Sequence, residues 1–133
     1  MKKIEINQAA SFSKTITESD VSLFAGITGD FNSVHIDKVA AEKSIFKERI
    51  AHGMLTASFI STVIGMYLPG KGSIYLEQNI KFLKPVKLGD TITAWVKVVS
   101  FDSEKNIYTL STWVENDQLV KIIDGTAKIL YIQ

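Results

Sequence analysis

The sequence has no cysteine among its 133 residues, so disulfides, thiolate nucleophiles and thiolate metal ligands are all excluded. It also lacks any strong imbalance of charge. Fifteen basic and 14 acidic side chains leave a formal net charge of +1, which gives no electrostatic footprint for nucleic acid or for an anionic membrane surface. No apolar run reaches the roughly 20 residues that a membrane-spanning helix needs. The most apolar stretch, residues 54–68, is interrupted by Thr56, Ser58, Ser61 and Thr62. After Met-Lys-Lys, residues 4–12 alternate polar and apolar side chains and supply no signal-peptide core. No linker, repeat or low-complexity segment divides the chain. These absences predict one soluble, cytoplasmic domain over residues 1–133, long enough to bury a core. An apolar fraction of 46% and a charged fraction of 22% are ordinary for that class.

Two kinds of periodicity are present. Residues 12–16 read as a short strand. Thr17, with Asp20 three residues on and Val21, Phe24, Ala25 and Ile27 following, has the form of a capped helix that ends near Gly29. A short helix is expected over 38–44. Residues 53–68 place apolar side chains around nearly the whole circumference of a helix, so most faces should be covered. Gly53, Ala57, Ser61 and Gly65 recur every four residues as a stripe of small side chains that would let a backbone or a ligand come close. Ser61 and Gly65 are expected to be buried. Pro69-Gly70 stops this helix.

Beyond Gly70 the period becomes two residues. Ile74, Leu76, Ile80 and Phe82 alternate with Tyr75, Glu77, Asn79 and Lys81, and residues 91–101, 107–114 and 119–132 are rich in β-branched and aromatic side chains. The breaks at 102–106 and 115–118 read as hairpin turns, making the last three strands antiparallel neighbours. Gly125 reads as a bulge. One buried helix ahead of four long strands predicts an α+β fold, a curved antiparallel sheet wrapped around a central helix.

Only two histidines exist, each in a polar cluster: residues 30–35, Asp-Phe-Asn-Ser-Val-His, and residues 51–54, Ala-His-Gly-Met. Asp30 and His35 in one irregular loop can point to one spot and hold a water between them. Water addition needs such a pair, because one proton must leave the water and one must reach the carbon next to a carbonyl. By spacing alone, a turn-capping aspartate and a surface histidine explain these residues equally well. His52, just before a helix, could contact a substrate, but loop-ordering hydrogen bonds are the expected role. Arg49, Lys71 and Lys84 could meet phosphates or simply be solvated.

Residues 29–35, Gly-Asp-Phe-Asn-Ser-Val-His, resemble the hydratase motif of the MaoC-like dehydratases, a family that includes the (R)-specific enoyl-CoA hydratases. The resemblance continues in Ile50-Ala51-His52-Gly53-Met54, in residues 69–73, in Phe82-Leu83-Lys84-Pro85-Val86 and in Gly89-Asp90. It implies a hotdog fold, usually dimeric, with no metal and no redox cofactor. It implies hydration of a trans-2-enoyl-CoA to an (R)-3-hydroxyacyl-CoA, or the reverse dehydration. Asp30 and His35 would be the acid–base pair, with the thioester carried by coenzyme A or by an acyl carrier protein. The Gly53 N–H, at a helix N-terminus, would stabilise the thioester oxyanion. Asn32 would order the loop. Ser61 corresponds to a pocket-lining position, although a hydroxyl bonded back to its own helix is an equal reading.

Other readings fit parts of the same sequence. A hotdog acyl-CoA thioesterase would direct water at the carbonyl and has no need of His35. A non-catalytic acyl-thioester-binding protein would keep the loop without turnover. Residues 65–72 approach a phosphate-binding loop, but Gly72 replaces the required Ser or Thr. Asp30 and Asn32 have calcium-loop spacing, but Val34 replaces the next ligand. Asp30, His35 and Asp37 could approach a metal, yet the second histidine is distant in sequence and no ligand spacing is met, so no metal is expected.

Overall fold

Thr17 lies in extended backbone, and its hydroxyl accepts from the Asp20 N–H at 3.1 Å while the Asp20 carboxylate accepts from the Thr17 N–H at 2.9 Å. This reciprocal box starts helix α1, Glu18–Thr28, and Gly29 closes it in the left-handed region with its N–H on the Ala25 carbonyl. The computed structural model describes residues 3–132. Strand β1, Ala9–Thr15, precedes α1, and two short helices follow it, α2 (Ser33–Ile36) and α3 (Lys38–Glu42). Helix α4 is Gly53–Met66, and four strands complete the chain: β2 (Ser73–Phe82), β3 (Thr91–Asp102), β4 (Ile107–Asn116) and β5 (Lys121–Tyr131).

All neighbouring strands pair antiparallel, in the order β1-β3-β4-β5-β2. The sheet curves around α4 in a hotdog fold. Leu55, Ile60, Val63 and Ile64 of the helix share one cluster with Val96 and Val98 of β3, Leu110 of β4 and Ile129 of β5. Burial of each such side chain is worth about 1.5–3 kcal/mol, so the concave face of the sheet and the inner face of α4 hold each other in place.

Two expectations are corrected. Ser61 and Gly65 are exposed, together with Gly53, Met54 and Met66, because five strands reach only part of the circumference of α4. The small-residue stripe falls on the side the sheet does not cover. Gly125 is not a bulge: it pairs in regular register with Ile80 and Thr112, and the register breaks instead lie at Tyr75/Glu77, Val98/Ser100 and Val114/Glu115. What glycine provides there is space. A Cβ at this position would stand 2.0 Å from the Asn79 carbonyl oxygen, a backbone atom of a paired strand.

Gly125→Ala is therefore expected to destabilise by about 1–3 kcal/mol or more, the usual cost of forcing atoms into a packed region. Gly26→Ala is the control, since a Cβ in mid-α1 meets nothing within 4 Å and alanine favours the helix by about 0.5–1 kcal/mol. Equilibrium urea denaturation of the two variants should move the midpoint in opposite directions.

Candidate active site

The loop after α1 is organised by its own short polar side chains. Asp30 accepts from the Asn32 N–H at 3.1 Å, and Asn32 caps α2 by accepting from the Val34 N–H at 3.2 Å. Asp37 then caps α3 through the N–H groups of Val39 and Ala40. Such local bonds hold an irregular backbone in one shape. Asp30 stays exposed, and His35 on α2 is almost buried.

The tautomer of His35 follows from its partner. Its Nδ1 lies 2.8 Å from the Ile50 carbonyl, which can only accept, so Nδ1 carries the proton. Of the two neutral tautomers, this one has Nε2 bare. Ile50 is itself fixed, through its N–H on the Val34 carbonyl and a bridge to Lys87, while the neighbouring Ala51 N–H donates to the Val86 carbonyl at 2.7 Å.

His52 arrives from the second polar cluster. It is 2% exposed, and its Nε2–H donates to the Asp30 carbonyl at 2.9 Å. Its ring stacks on His35 with centroids 3.9 Å apart and rests against Phe24 of α1. The sequence distance between the histidines is thus bridged by the fold, and one ligand-type atom from each of Asp30, His35 and His52 lies within 4.8 Å of the others. The arrangement suits a small polar molecule held between Asp30 and His35.

Gly53 begins α4, which has no side-chain cap, so the positive end of the helix is left open directly after His52. Phe82 covers the glycine closely enough that a Cβ would meet its ring at 2.8 Å. Ser61 stands two turns along the same face, about 12 Å up the axis. On the β2 side of Gly53 opens a cavity of about 290 Å³ lined by Gly53, Thr56, Phe82, Val86, Ile122 and Ile123 among others. Neither Asp30 nor His35 lines it. Spacing in the sequence gives no signal for this cavity, because its walls come from four separate segments.

Arg49 is not available for a phosphate. Its Nε donates to the His35 carbonyl at 2.7 Å, and its two terminal nitrogens clasp the Glu18 carboxylate at 2.7 and 3.0 Å. The guanidinium thereby joins α1 to the end of α2.

The model of the MaoC-like domain family matches residues 2–118. An (R)-specific enoyl-CoA hydratase of Rhodospirillum rubrum is 46% identical over 127 residues, 96% of this chain and 88% of that protein. A 3-hydroxybutyryl-CoA dehydratase of Methylorubrum extorquens is 38% identical over 95% of this chain and 80% of its own length. Among solved structures, the (R)-hydratase of A. caviae involved in PHA biosynthesis superposes with a TM-score of 0.95, at 38% identity, over 99% of this chain and all of that one.

Arg49→Ala should cost about 1–3 kcal/mol of stability by leaving the nearly buried His35 carbonyl unpaired, more than an exposed ion pair is worth. Arg49→Lys should recover little, since an ammonium cannot serve three acceptor positions as a planar fork. Thermal and urea melts of the two variants check this.

Proposed function

This chain belongs to the MaoC-like domain family, and on that premise we propose that Asp30 and His35 hold between them the water used in its reaction. The protein is an enoyl-CoA hydratase: it hydrates a trans-2-enoyl-CoA to an (R)-3-hydroxyacyl-CoA, or runs the reverse dehydration. The observation that supports the residue assignment is the His35 Nδ1–H bond to the Ile50 carbonyl, which leaves Nε2 as the nitrogen free to meet a water, together with the approach of ligand-type atoms of His35 and Asp30 to within 4.8 Å. An ionised Asp30 and a neutral His35 are both acceptors, so one water can donate to each and turn its lone pairs outward.

In the forward direction the water oxygen bonds to C3 as the π pair of the C2–C3 bond shifts toward C2 and the thioester oxygen. The pair takes one proton from the water and returns one to C2, so atoms and charge balance. The Gly53 N–H at the uncapped start of α4 stabilises the developing oxyanion. Asn32 keeps the loop shaped, and His52 fixes the Asp30 backbone. Ser61, exposed on the open face of α4, borders the path of the acyl chain. The working form is a homodimer. Supporting this, edge strand β2 leaves Ile74, Leu76 and Phe82 half-exposed, and α4 exposes Met54 and Met66, an apolar surface that an edge strand ordinarily hides. We expect the protein in the cytoplasm, with a coenzyme A or carrier-protein thioester as substrate.

Asp30→Asn and His35→Gln should each lower kcat about 10²- to 10⁴-fold, and the double variant should fall little further, because residues acting on one water are non-additive. The assay is loss of enoyl absorbance without release of free thiol. Near-wild-type rates in either folded variant would remove the pair from the mechanism, and thiol release would favour a thioesterase. For the oligomer, light scattering at micromolar concentration should give twice the 14.8 kDa chain mass. A fully active monomer would overturn the dimer.

A further inference from the structure

We propose that His52 is a positioning residue for the reaction: the face of its buried ring holds the His35 imidazole in the plane that aims Nε2 at the water. The inference rests on the hydratase reading above, in which His52 fixes only the Asp30 backbone, and deepens it. One side chain then sets the relation between both members of the pair.

A histidine ring ends on a soft torsion, so a single hydrogen bond leaves it free to tilt. The Nδ1–H bond of His35 to the Ile50 carbonyl, at 2.8 Å, fixes one corner of the ring and its tautomer. It does not fix the plane. The His52 ring lies against the face of His35, with centroids 3.9 Å and planes 27° apart, and a tilt of His35 toward it is blocked. The same imidazole donates from Nε2–H to the Asp30 carbonyl at 2.9 Å. Phe24 of α1, with its centroid 4.9 Å away, holds His52 in turn. The two histidines thus carry opposite tautomers, Nδ1–H on His35 and Nε2–H on His52, because each meets a carbonyl that can only accept.

His52 gives up stability to stand there. It is the N-cap of α4, a position where Ser, Thr, Asp or Asn ordinarily accepts from the first turn, yet it makes no capping bond. Its Nδ1 is also buried without a partner among the described residues. Both losses follow from turning the ring toward Asp30 and His35, and conflicts of this kind fall where function requires them. At 2% exposure the ring is out of reach of substrate, so its effect on the reaction passes through those two residues. Supporting side chains of this sort fix the tautomer and orientation of a working histidine.

The test uses the full chain and watches His35 directly. Because the chain has two histidines, a variant at position 52 leaves His35 as the sole source of imidazole signals in a nuclear magnetic resonance spectrum. The wild-type nitrogen spectrum should show one neutral ring of each tautomer. Two rings of the same tautomer would overturn the proposal, and that measurement needs no variant to fold. His52→Gln keeps an N–H for the Asp30 carbonyl and removes the flat face, whereas His52→Phe keeps the face and removes the donor. With crotonyl-CoA, His52→Gln should lower kcat about 10- to 100-fold, the scale of a slight misplacement of reacting groups, and change KM by less than about 3-fold. Ring relaxation should show His35 losing order in His52→Gln and keeping it in His52→Phe, which should also retain more of kcat. Equal losses of rate in the two variants with His35 order unchanged would reduce His52 to its bond with Asp30 and overturn the proposal. In a His35→Gln background, His52→Gln should cost little more, because the ring it positions is gone. A loss of the same size in both backgrounds would count against it in the same way. If His35 loses order in His52→Gln while Asp30→Asn and His35→Gln hydrate at wild-type rates, the assignment of the pair fails and the positioning of His35 stands.

Discussion

The segment 50–52 joins the core to the chemistry, and the geometry of the site depends on how it is held. The Ile50 carbonyl accepts from His35, the Ala51 N–H donates to Val86, and His52 donates to the Asp30 carbonyl. Three consecutive residues thus grip the loop that carries Asp30 on one side and the segment that follows β2 on the other. They hold that position because α4 begins immediately afterwards, and α4 is anchored by Leu55, Ile60, Val63 and Ile64 in the concave sheet. A shift of the helix along its axis would move all three contacts together. Core packing and site geometry are in this sense one constraint.

That arrangement leaves two buried polar atoms without partners, His52 Nδ1 and the Thr56 hydroxyl. The first is a direct consequence of its other bond: with Nε2–H committed to the Asp30 carbonyl, a neutral ring must present a bare Nδ1. Buried polar groups are ordinarily satisfied, and exceptions concentrate where function imposes a conflict. Here both exceptions fall on residues 52 and 56, one helical turn apart at the start of α4, beside the residues proposed to handle the water and the oxyanion. Nothing comparable occurs among the described residues deeper in the sheet.

Local signals in the sequence carried much of this fold. The box of Thr17 and Asp20 marks the start of α1, and the change of period after Gly70 locates β2 to β5 within a residue or two, because both depend only on near neighbours. The motif of residues 29–35 pointed to Asp30 and His35 by resemblance, while its spacing alone left a surface histidine equally tenable. What stayed hidden depends on residues remote in sequence. The approach of His52 to a loop 22 residues earlier needs the fold. The exposure of Ser61 and Gly65 is decided by how far five strands reach around a helix, and small side chains suit a close-packed interface and an open face equally. Gly125 read as a bulge because glycine in a strand has two common causes, irregular register and close backbone approach. The Asn79 carbonyl on the neighbouring strand decides between them.

On the proposed reading, the open face of α4 serves the substrate and is not an unfinished core. A sixth strand could in principle cover Gly53, Met54, Ser61 and Gly65, removing apolar area from water at about 25 cal/mol per Å². On the proposed reading it would also seal the side from which a thioester lays its carbonyl on the Gly53 N–H. Five strands on one side of the helix supply the burial that α4 needs to stay fixed. The uncovered side keeps the helix start, the loop of Asp30 and the edge strand β2 on a single accessible surface. In the proposed dimer a partner would cover part of that surface without entering the core, which would leave stability and access to opposite faces of one helix.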